Sequence, residues 1–528
     1  MDVARLVRRA ARLYPDREAV VAGGVRRTLA EVDVRSDRLA NGLLALGLRR
    51  PDRAAVLLKN CAEYMEVDFG LAKAGLVRVS LNARLGTPDH RVTLGDAGVS
   101  AVIYGAQFGE IAETLRAEHP GIAHWIRLGG GAGPGLDYGA WLGDQRATAP
   151  PVANGPGDLY SLFYTSGTTG RPKGVMHTHG VIARVALNLL LDCLVIGPED
   201  RVLLLQPLSH GSGFFMLPAF LRGACSVILD RFDPEEVVAT ARRERVSIIK
   251  LIPTMLIKLL DGSRATRGDL GGVRSIIYGA SPMPVEKLKE AIDRFGPVFV
   301  QIYGQAEAPV TITVLPAEEH RPGGTEAEVR RLGSAGRPFL SVDARVLGAD
   351  GSPVAPGEAG EVVVRSDHVM AGYWRRPDLT AEVLKDGAVY TRDMATVDEQ
   401  GYIYLLGRRD EVINSGGFNI APREVEEVLY GHAAVSEAAV IGIPDSTWGE
   451  AVHACVALKP GAVVSEAELL EFCKPVLGFR RPKGITFLPA LPKNPYGKVL
   501  RQELRKRVGA EPVPGAGDVA GAPPPGSS

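Results

Sequence analysis

Cysteine is scarce in this chain, with five in 528 residues, at Cys61, Cys193, Cys225, Cys455 and Cys473, and no C-x-x-C spacing among them. An odd, scattered set builds neither a disulfide framework nor a zinc site, and it reads as buried or incidental thiols in a reducing compartment. An excess of one charge is also lacking. The 61 Lys and Arg balance 61 Asp and Glu, so no overall field draws the protein to nucleic acid or to an anionic membrane. Long apolar runs are missing too: the longest patch, 186–196, is interrupted by Asn188 and Asp192 and is too short to span a bilayer. The first residues, MDVARLVRRAARLYPDREAV, have no uninterrupted apolar core of the kind a secretory leader needs. A cytoplasmic protein is expected, with no nucleic-acid partner and no integral membrane association. No convincing Ser/His/Asp or Cys/His set stands out, so covalent catalysis by a protein nucleophile is not indicated.

What is present is the composition of a globular protein, 45% hydrophobic and 23% charged. The length suggests three or four folding units. Up to about residue 150, helical patterns such as LAEVDVRSDRLANGLLALGL alternate with short apolar runs such as RAAVLLK and VSAVIYG. That alternation predicts an α/β organisation with a largely parallel sheet. GGGAGPG, 129–135, contains no exact G-x-G-x-x-G and is expected to be a surface connection. From 332 to 409 short alternating strands with Gly, Pro and Asp turns predict a small antiparallel subdomain. GRRDEVINSGGFNIAPREVEEVL, 407–429, has the form of a hinge into a second, α+β unit. The expectation is an α/β domain over 1–408, a mobile α+β domain over 409–509, and a disordered Pro/Gly/Ser tail over 510–528.

The chemistry concentrates first in YTSGTTGRPKGV, 164–175. Glycines let backbone N–H groups approach phosphate oxygens while Ser and Thr hydroxyls add donors. Thr165, Ser166, Gly167, Thr168, Thr169, Gly170 and Lys173 are therefore nucleotide-binding candidates. Gly167, Gly170 and Lys173 are spaced G-x-x-G-x-x-K, which is not the ordinary P-loop. A surface loop rich in Thr and Gly is the alternative for the same residues. Further along, three apolar strands end in turns. Val202–Leu205 leads to His210, 273–284 carries Gly279, Ala280 and Ser281, and 298–309 carries Tyr303, Gly304 and Glu307. In open α/β sheets ligands bind at such carboxyl ends.

YTSGTTGRPKGVMHTH, 164–179, resembles the signature of the adenylate-forming superfamily. PLSHGSG, YGQAE, YTRDMA, GRRDE and PKNPYGKVLR follow in that family's order over nearly the whole chain, in a pattern similar to its acyl-CoA synthetase branch. The resemblance implies that ATP and a carboxylic acid give an acyl-adenylate and pyrophosphate, and that CoA then takes the acyl group. It implies Mg²⁺ at Glu307 and Thr165, and phosphates on the glycine-rich loop and Lys173. Gly279, Ala280, Ser281 and Gly304 would wall the adenine site, Tyr303 would stack on the base, and Asp393 and Arg408 would hold ribose. His210 would gate an acyl pocket lined by Phe214, Met283 and Val310. Asp410 would be the hinge, Gly416, Gly417 and Asn419 a CoA-side loop, and Lys498 the adenylation lysine.

Two positions depart from the family pattern. Ala306 stands where Thr is usual, removing one hydroxyl contact worth about 1 kcal/mol, and Arg392 stands where Gly is usual. PLSHGSGFF has no Asp to hold an α-amino group, so a fatty or aromatic acid is expected rather than an amino acid. The implied partners are that acid, ATP and CoA, with the protein a monomer or homodimer. Two rivals are a ligase that loads a separate carrier protein, and a non-catalytic nucleotide-binding protein.

Overall fold

The short apolar runs that read as strands are joined by helices, and a helical crossover returns the chain in the same direction, so they pair mostly in parallel. The computed structural model describes residues 1–165, 172–493 and 499–510. The chain divides into two compact units, one ending at Leu405 and the other beginning at Leu406, so the boundary falls inside the strand Ile403–Arg408.

The first unit contains a nine-stranded sheet. Its parallel run is, in spatial order, Glu18–Ala22, Cys225–Ile228, Arg201–Leu204, Ile248–Lys250, Ser275–Gly279 and Phe299–Gln305. Val25–Thr28 closes one edge, and Ala308–Leu315 with Arg337–Pro338 closes the other, all antiparallel. Successive residues on each strand point to opposite faces. Leu203, Ile249 and Ile276 enter one core, while Leu204, Ile248 and Ile277 enter the other. Both faces are covered, which is why these strands are continuously apolar. Full burial of each such side chain contributes about 2 kcal/mol.

The crossover helices carry local start signals. In Pro234–Arg243, Asp233 accepts the N–H of Glu236 at 2.9 Å, Pro234 opens the first turn, and Arg242 and Arg243 face the negative end of the helix dipole.

A seven-stranded sheet runs Leu136–Asp137, His124–Leu128, Ala101–Gly105, Arg53–Leu57, Val77–Ser80, Leu159–Thr165, Lys173–Thr178, and only its last pair is antiparallel. A third, antiparallel sheet contains Asp343–Leu347, Ala359–Arg365, Ala388–Val397 and Leu384–Lys385, at the place where short alternating strands are expected. The 129–135 glycine stretch is a turn after His124–Leu128, tied down where the Tyr104 hydroxyl donates to the Pro134 carbonyl at 2.6 Å. Among the described residues no helix is long and apolar enough to cross a membrane.

The second unit has its own sheet, in the order Phe418–Ile420, Ile413–Ser415, Gly449–Leu458, Val435–Asp445, with Gly484–Phe487 parallel to Gly449–Leu458. Helices Pro422–Tyr430 and Glu466–Leu477 bury Val425, Leu429, Leu469 and Cys473 with Val440 and Val452 in one core. Leu504 and Val508 of Arg501–Ala510 share another core with Ile441 and Cys455. This is an α+β unit, as the pattern after residue 409 implies.

Candidate active site

Because the strands ending at Leu204, Lys250, Gly279 and Gln305 are mutually parallel, their carboxyl ends share one edge of the nine-stranded sheet. His210, Gly279–Ser281 and Tyr303–Glu307 follow or end three of these strands and so lie at that edge. Backbone geometry there is tight. A methyl group on Gly279 would lie 2.1 Å from the Ile302 carbonyl oxygen, and one on Gly304 would lie 2.5 Å from the Val310 nitrogen, so neither position takes a side chain without moving backbone. The pairing of Phe299–Gln305 with Ala308–Leu315 slips here: Tyr303 stands opposite Thr313 and Gln305 opposite Ala308, so the extra residues lie within 309–312 and Gly304 faces them. A bulge of this kind re-aims its neighbours. Ala280 and Val310 also hold left-handed backbone, with φ of 74° and 50°, a conformation seen at functional turns because surrounding structure must enforce it.

The bulge leaves Tyr303 with its hydroxyl donating to Asp393 Oδ2 at 2.6 Å. Asp393 lies in Ala388–Val397, where its N–H donates to Thr391 Oγ1 at 3.1 Å. An aromatic ring and a carboxylate suited to a diol are thereby joined. Arg392, just before, has φ of 60°. That is the physical reason a glycine suits the position. Its N–H donates to Glu361 Oε1 at 2.8 Å, which helps to hold the turn.

Glu307 is half-buried, and its Oε1 accepts the Tyr373 hydroxyl at 2.6 Å. Lys173 lies 5.4 Å from the centre of that tyrosine ring, so Tyr373 links the lysine that follows the glycine-rich loop to the candidate metal carboxylate. Thr165 and Lys173 are register partners at the mouth of the hairpin that carries the loop. Ser166, Gly167, Thr168, Thr169 and Gly170 lie outside the described residues, as does Lys498. Ala306 offers no side-chain donor, but its carbonyl lies 2.8 Å from His177 Nε2. That contact fixes the N–H on Nε2, and burial holds this imidazole neutral, its pKa pulled down to about 4.

His210 and Phe214 belong to one aromatic cluster. Phe163 stacks edge-on against His210 with centroids 4.9 Å apart, and Phe214 lies 6.1 Å from Phe163 and 6.0 Å from His177. Desolvation, with the charges of Arg78 and Arg84, pulls His210 down to about 3, so it is neutral at physiological pH. Phe214 and Val310 pack against the same core. Met283 does not join them. It is buried with Leu288 and Phe299 in the core on the other face of the sheet, because the left-handed turn at Ala280 sends the chain over that face before the helix Val285–Phe295.

In the second unit Arg408 ends its strand and Asp410 is exposed in the short turn Arg409–Glu411. Gly416 and Gly417, with φ of 60° and 82°, form the two-residue turn of a hairpin, the geometry in which both positions favour glycine. Asn419 is not in that loop but in the strand Phe418–Ile420, exposed. Composition also gave no sign of an aromatic patch here. Trp448 packs on Gly416, Lys483 sits 5.4 Å from its ring, and Phe418 stacks on Phe479 at 4.7 Å. These rings are about half exposed, Trp448 at 47%, Phe479 at 54% and Phe418 at 58%, and they offer stacking surface beside a cation.

Among the described residues no cluster of three or more His, Cys, Asp or Glu forms a metal cage. A single oriented carboxylate suits Mg²⁺, which usually keeps water and phosphate oxygens and takes one or two protein carboxylates.

The sequence profile of the AMP-binding enzyme family matches residues 7–374, and that of the AMP-binding enzyme C-terminal domain matches 424–498. A feruloyl-CoA synthase of an Amycolatopsis species is 39% identical over 505 residues, 95% of this chain and 98% of its own. The fatty acid–[acyl-carrier-protein] ligase ScoC of Streptomyces coeruleorubidus is 34% identical over 93% of this chain and 94% of its own. Among solved structures, ATP-bound MatB from Rhodopseudomonas palustris superposes with a TM-score of 0.86 at 28% identity, covering 96% of this chain and 99% of its own.

Proposed function

The chain belongs to the AMP-binding enzyme family, in its acyl-CoA synthetase branch, and from that premise we propose that it is an AMP-forming acid–thiol ligase acting on an aromatic or fatty carboxylic acid. The acid attacks the α-phosphate of ATP, pyrophosphate leaves, and the acyl-adenylate then passes its acyl group to CoA. The observation that carries this reading is the juxtaposition, at one sheet edge, of Glu307, the Tyr303–Asp393 pair and the apolar cluster around His210.

Each group has a role in that reaction. Tyr303 and Asp393 fix the nucleoside, Asp393 accepting from ribose. Lys173 and the loop before it take the phosphates. Mg²⁺ bound with ATP would offset phosphate charge, and Glu307, oriented by Tyr373, is the residue to hold it together with the Thr165 hydroxyl. His210, neutral and aromatic, flanks the acyl group without placing a charge beside its carboxylate. Lys498 supplies positive charge against the developing negative charge on the α-phosphate. Attack is by substrate oxygen, so no protein nucleophile is needed. The division into domains over 1–408 and 409–509, with Asp410 as pivot, lets the smaller domain serve the two half-reactions in turn, presenting Lys498 first and the Gly416–Gly417 face second.

Two acceptors are in view. The rings of Trp448, Phe418 and Phe479 beside Lys483 suit an adenine and its phosphates, which supports CoA. The likeness to ScoC supports a carrier protein as the second reading. Incubating the protein with ATP, a panel of acids and either CoA or a carrier protein, with products weighed by mass spectrometry, separates them. An acyl-CoA product sustains the proposal. Acylated carrier with no acyl-CoA replaces it with the second reading.

A further inference from the structure

One buried cation at this site has no role in the chemistry above. Lys250 ends the strand Ile248–Lys250, in register between Leu204 and Ile277. It therefore shares the sheet face of Ile248, Leu204 and Ile277, the face packed against Phe215 and the helix His179–Asp192. Lys250 is 2% exposed, and its Nζ lies 5.9 Å from the centre of the Phe215 ring. An ammonium carries three donors. Here a single acceptor is met, the Leu251 carbonyl at 2.7 Å, and among the described residues no carboxylate stands within ion-pair distance.

A lysine kept in this state is costly, because burying a charge without a partner is among the most unfavourable things a fold does. The amine responds as expected, with burial pulling its pKa down to about 7. Its neighbours across both strands are aliphatic, so Leu or Met would fill the space without that cost.

The position explains what the amine is for. Lys250 is the last residue of its own strand, and its register partner Ile277 is two residues short of Gly279, so the amine's backbone lies about 7 Å along the strand direction from the Gly279 exit. Phe215 follows directly on Phe214 of the aromatic cluster. His210, Phe214 and Phe215 belong to one short turn, 210–215, so the amine beside the Phe215 ring borders the aromatic cluster. We propose that Lys250 is a specificity-determining residue of the acyl site, donating a hydrogen bond to a ring hydroxyl at the far end of an aromatic acid.

This inference rests on the acid-activating reading above and narrows its substrate to hydroxyaryl acids. A plain alkyl chain would bury the amine against methylenes and leave its donors unmet. Sites built to pair a substrate hydroxyl discriminate strongly against the analogue lacking it, for that reason. An ω-carboxylate could meet the same donors, and the test separates it from a phenol.

The test measures acid-dependent pyrophosphate release by the full-length protein with 4-hydroxycinnamate, cinnamate, a saturated fatty acid and a dicarboxylate of matched length. The expected result is a kcat/KM at least tenfold higher for 4-hydroxycinnamate than for cinnamate, and loss of that preference in Lys250→Met with cinnamate itself unchanged or improved. A merely structural lysine would lower both aryl acids together in the variant, which overturns the proposal. So does a wild-type protein indifferent to the hydroxyl, or one that prefers the dicarboxylate. Should Lys250→Met fail to fold, Lys250→Gln keeps a donor: a reduced but retained preference sustains the proposal, and an unchanged ratio overturns it. If no acid of any class releases pyrophosphate, the acid-activating reading itself has failed. If acids are activated without regard to the hydroxyl, only the role of Lys250 has.

Discussion

Adding one methyl group at Gly304 should damage both the fold and the nucleotide site. The Cβ of Gly304→Ala would sit 2.5 Å from the nitrogen, 2.6 Å from the Cα and 2.8 Å from the carbonyl carbon of Val310, where ordinary contact needs about 3.5–4.0 Å. All three are backbone atoms, so no side chain can rotate away, and relief requires parting the two strands by roughly 1 Å. Overpacking of this kind costs about 3 kcal/mol. The same shift moves Tyr303 off Asp393 and disturbs Val310, proposed to line the acyl site, and misplacement of about 1 Å lowers a rate on the order of 100-fold. Gly272→Ala is the matched control, since a methyl there meets nothing within 4 Å. Urea unfolding and pyrophosphate release against ATP concentration are the assays. A Gly304→Ala protein with the stability and ATP dependence of Gly272→Ala would refute the claim that the bulge positions the site.

Three further outcomes follow from named residues. Arg392→Gly relieves a left-handed conformation costing about 1–2 kcal/mol, against about 0.5–1 for glycine's extra unfolded freedom and at most about 0.5 for the exposed pair with Glu382; urea unfolding should find it unchanged or about 0.5 kcal/mol more stable, and a loss above about 1 kcal/mol would count against the turn geometry. His177, His320 and His368 are pulled down to about 4 and His210 to about 3, burial leading in each case. The unfolded chain, with histidine near 6.5, binds more protons than the folded one between those values. Stability therefore holds above pH 6.5 and falls as pH drops towards 4, by about 1.4 kcal/mol per pH unit for each histidine, and melts across that range that show no fall would contradict the neutral assignments. Lys498→Ala should slow adenylation on the order of 100-fold or more while leaving CoA thioester formation from a supplied acyl-adenylate, measured by product formation; normal adenylation in that variant would remove Lys498 from its role.

The strand exits were legible because strands buried on both faces are unbroken apolar runs, and Gly279 and Gly304 mark where backbone must pass close to backbone. The turn at Gly416 and Gly417 was legible for a similar reason, two adjacent glycines between short strands. Sidedness was not. Met283 reads as lining the acyl site because it is apolar and near an exit, yet an apolar residue satisfies either face of the sheet, and the left-handed step at Ala280 that decides the matter is not announced by an alanine. The supporting contacts were hidden as well. Tyr373 reaches Glu307 and His177 reaches the Ala306 carbonyl across 66 and 129 positions of sequence, and no periodicity encodes such pairs. Lys250 looks, in sequence, like the polar end of a strand. Only the register that sets it between Leu204 and Ile277 reveals a buried amine.

The most direct test of the central claim is acid-dependent exchange of labelled pyrophosphate into ATP, run with and without CoA. The account predicts exchange only when a suitable aromatic or fatty acid is present, with CoA converting it to net turnover. ATP binding with no exchange for any acid would contradict it and leave a nucleotide-binding protein that does not form adenylates.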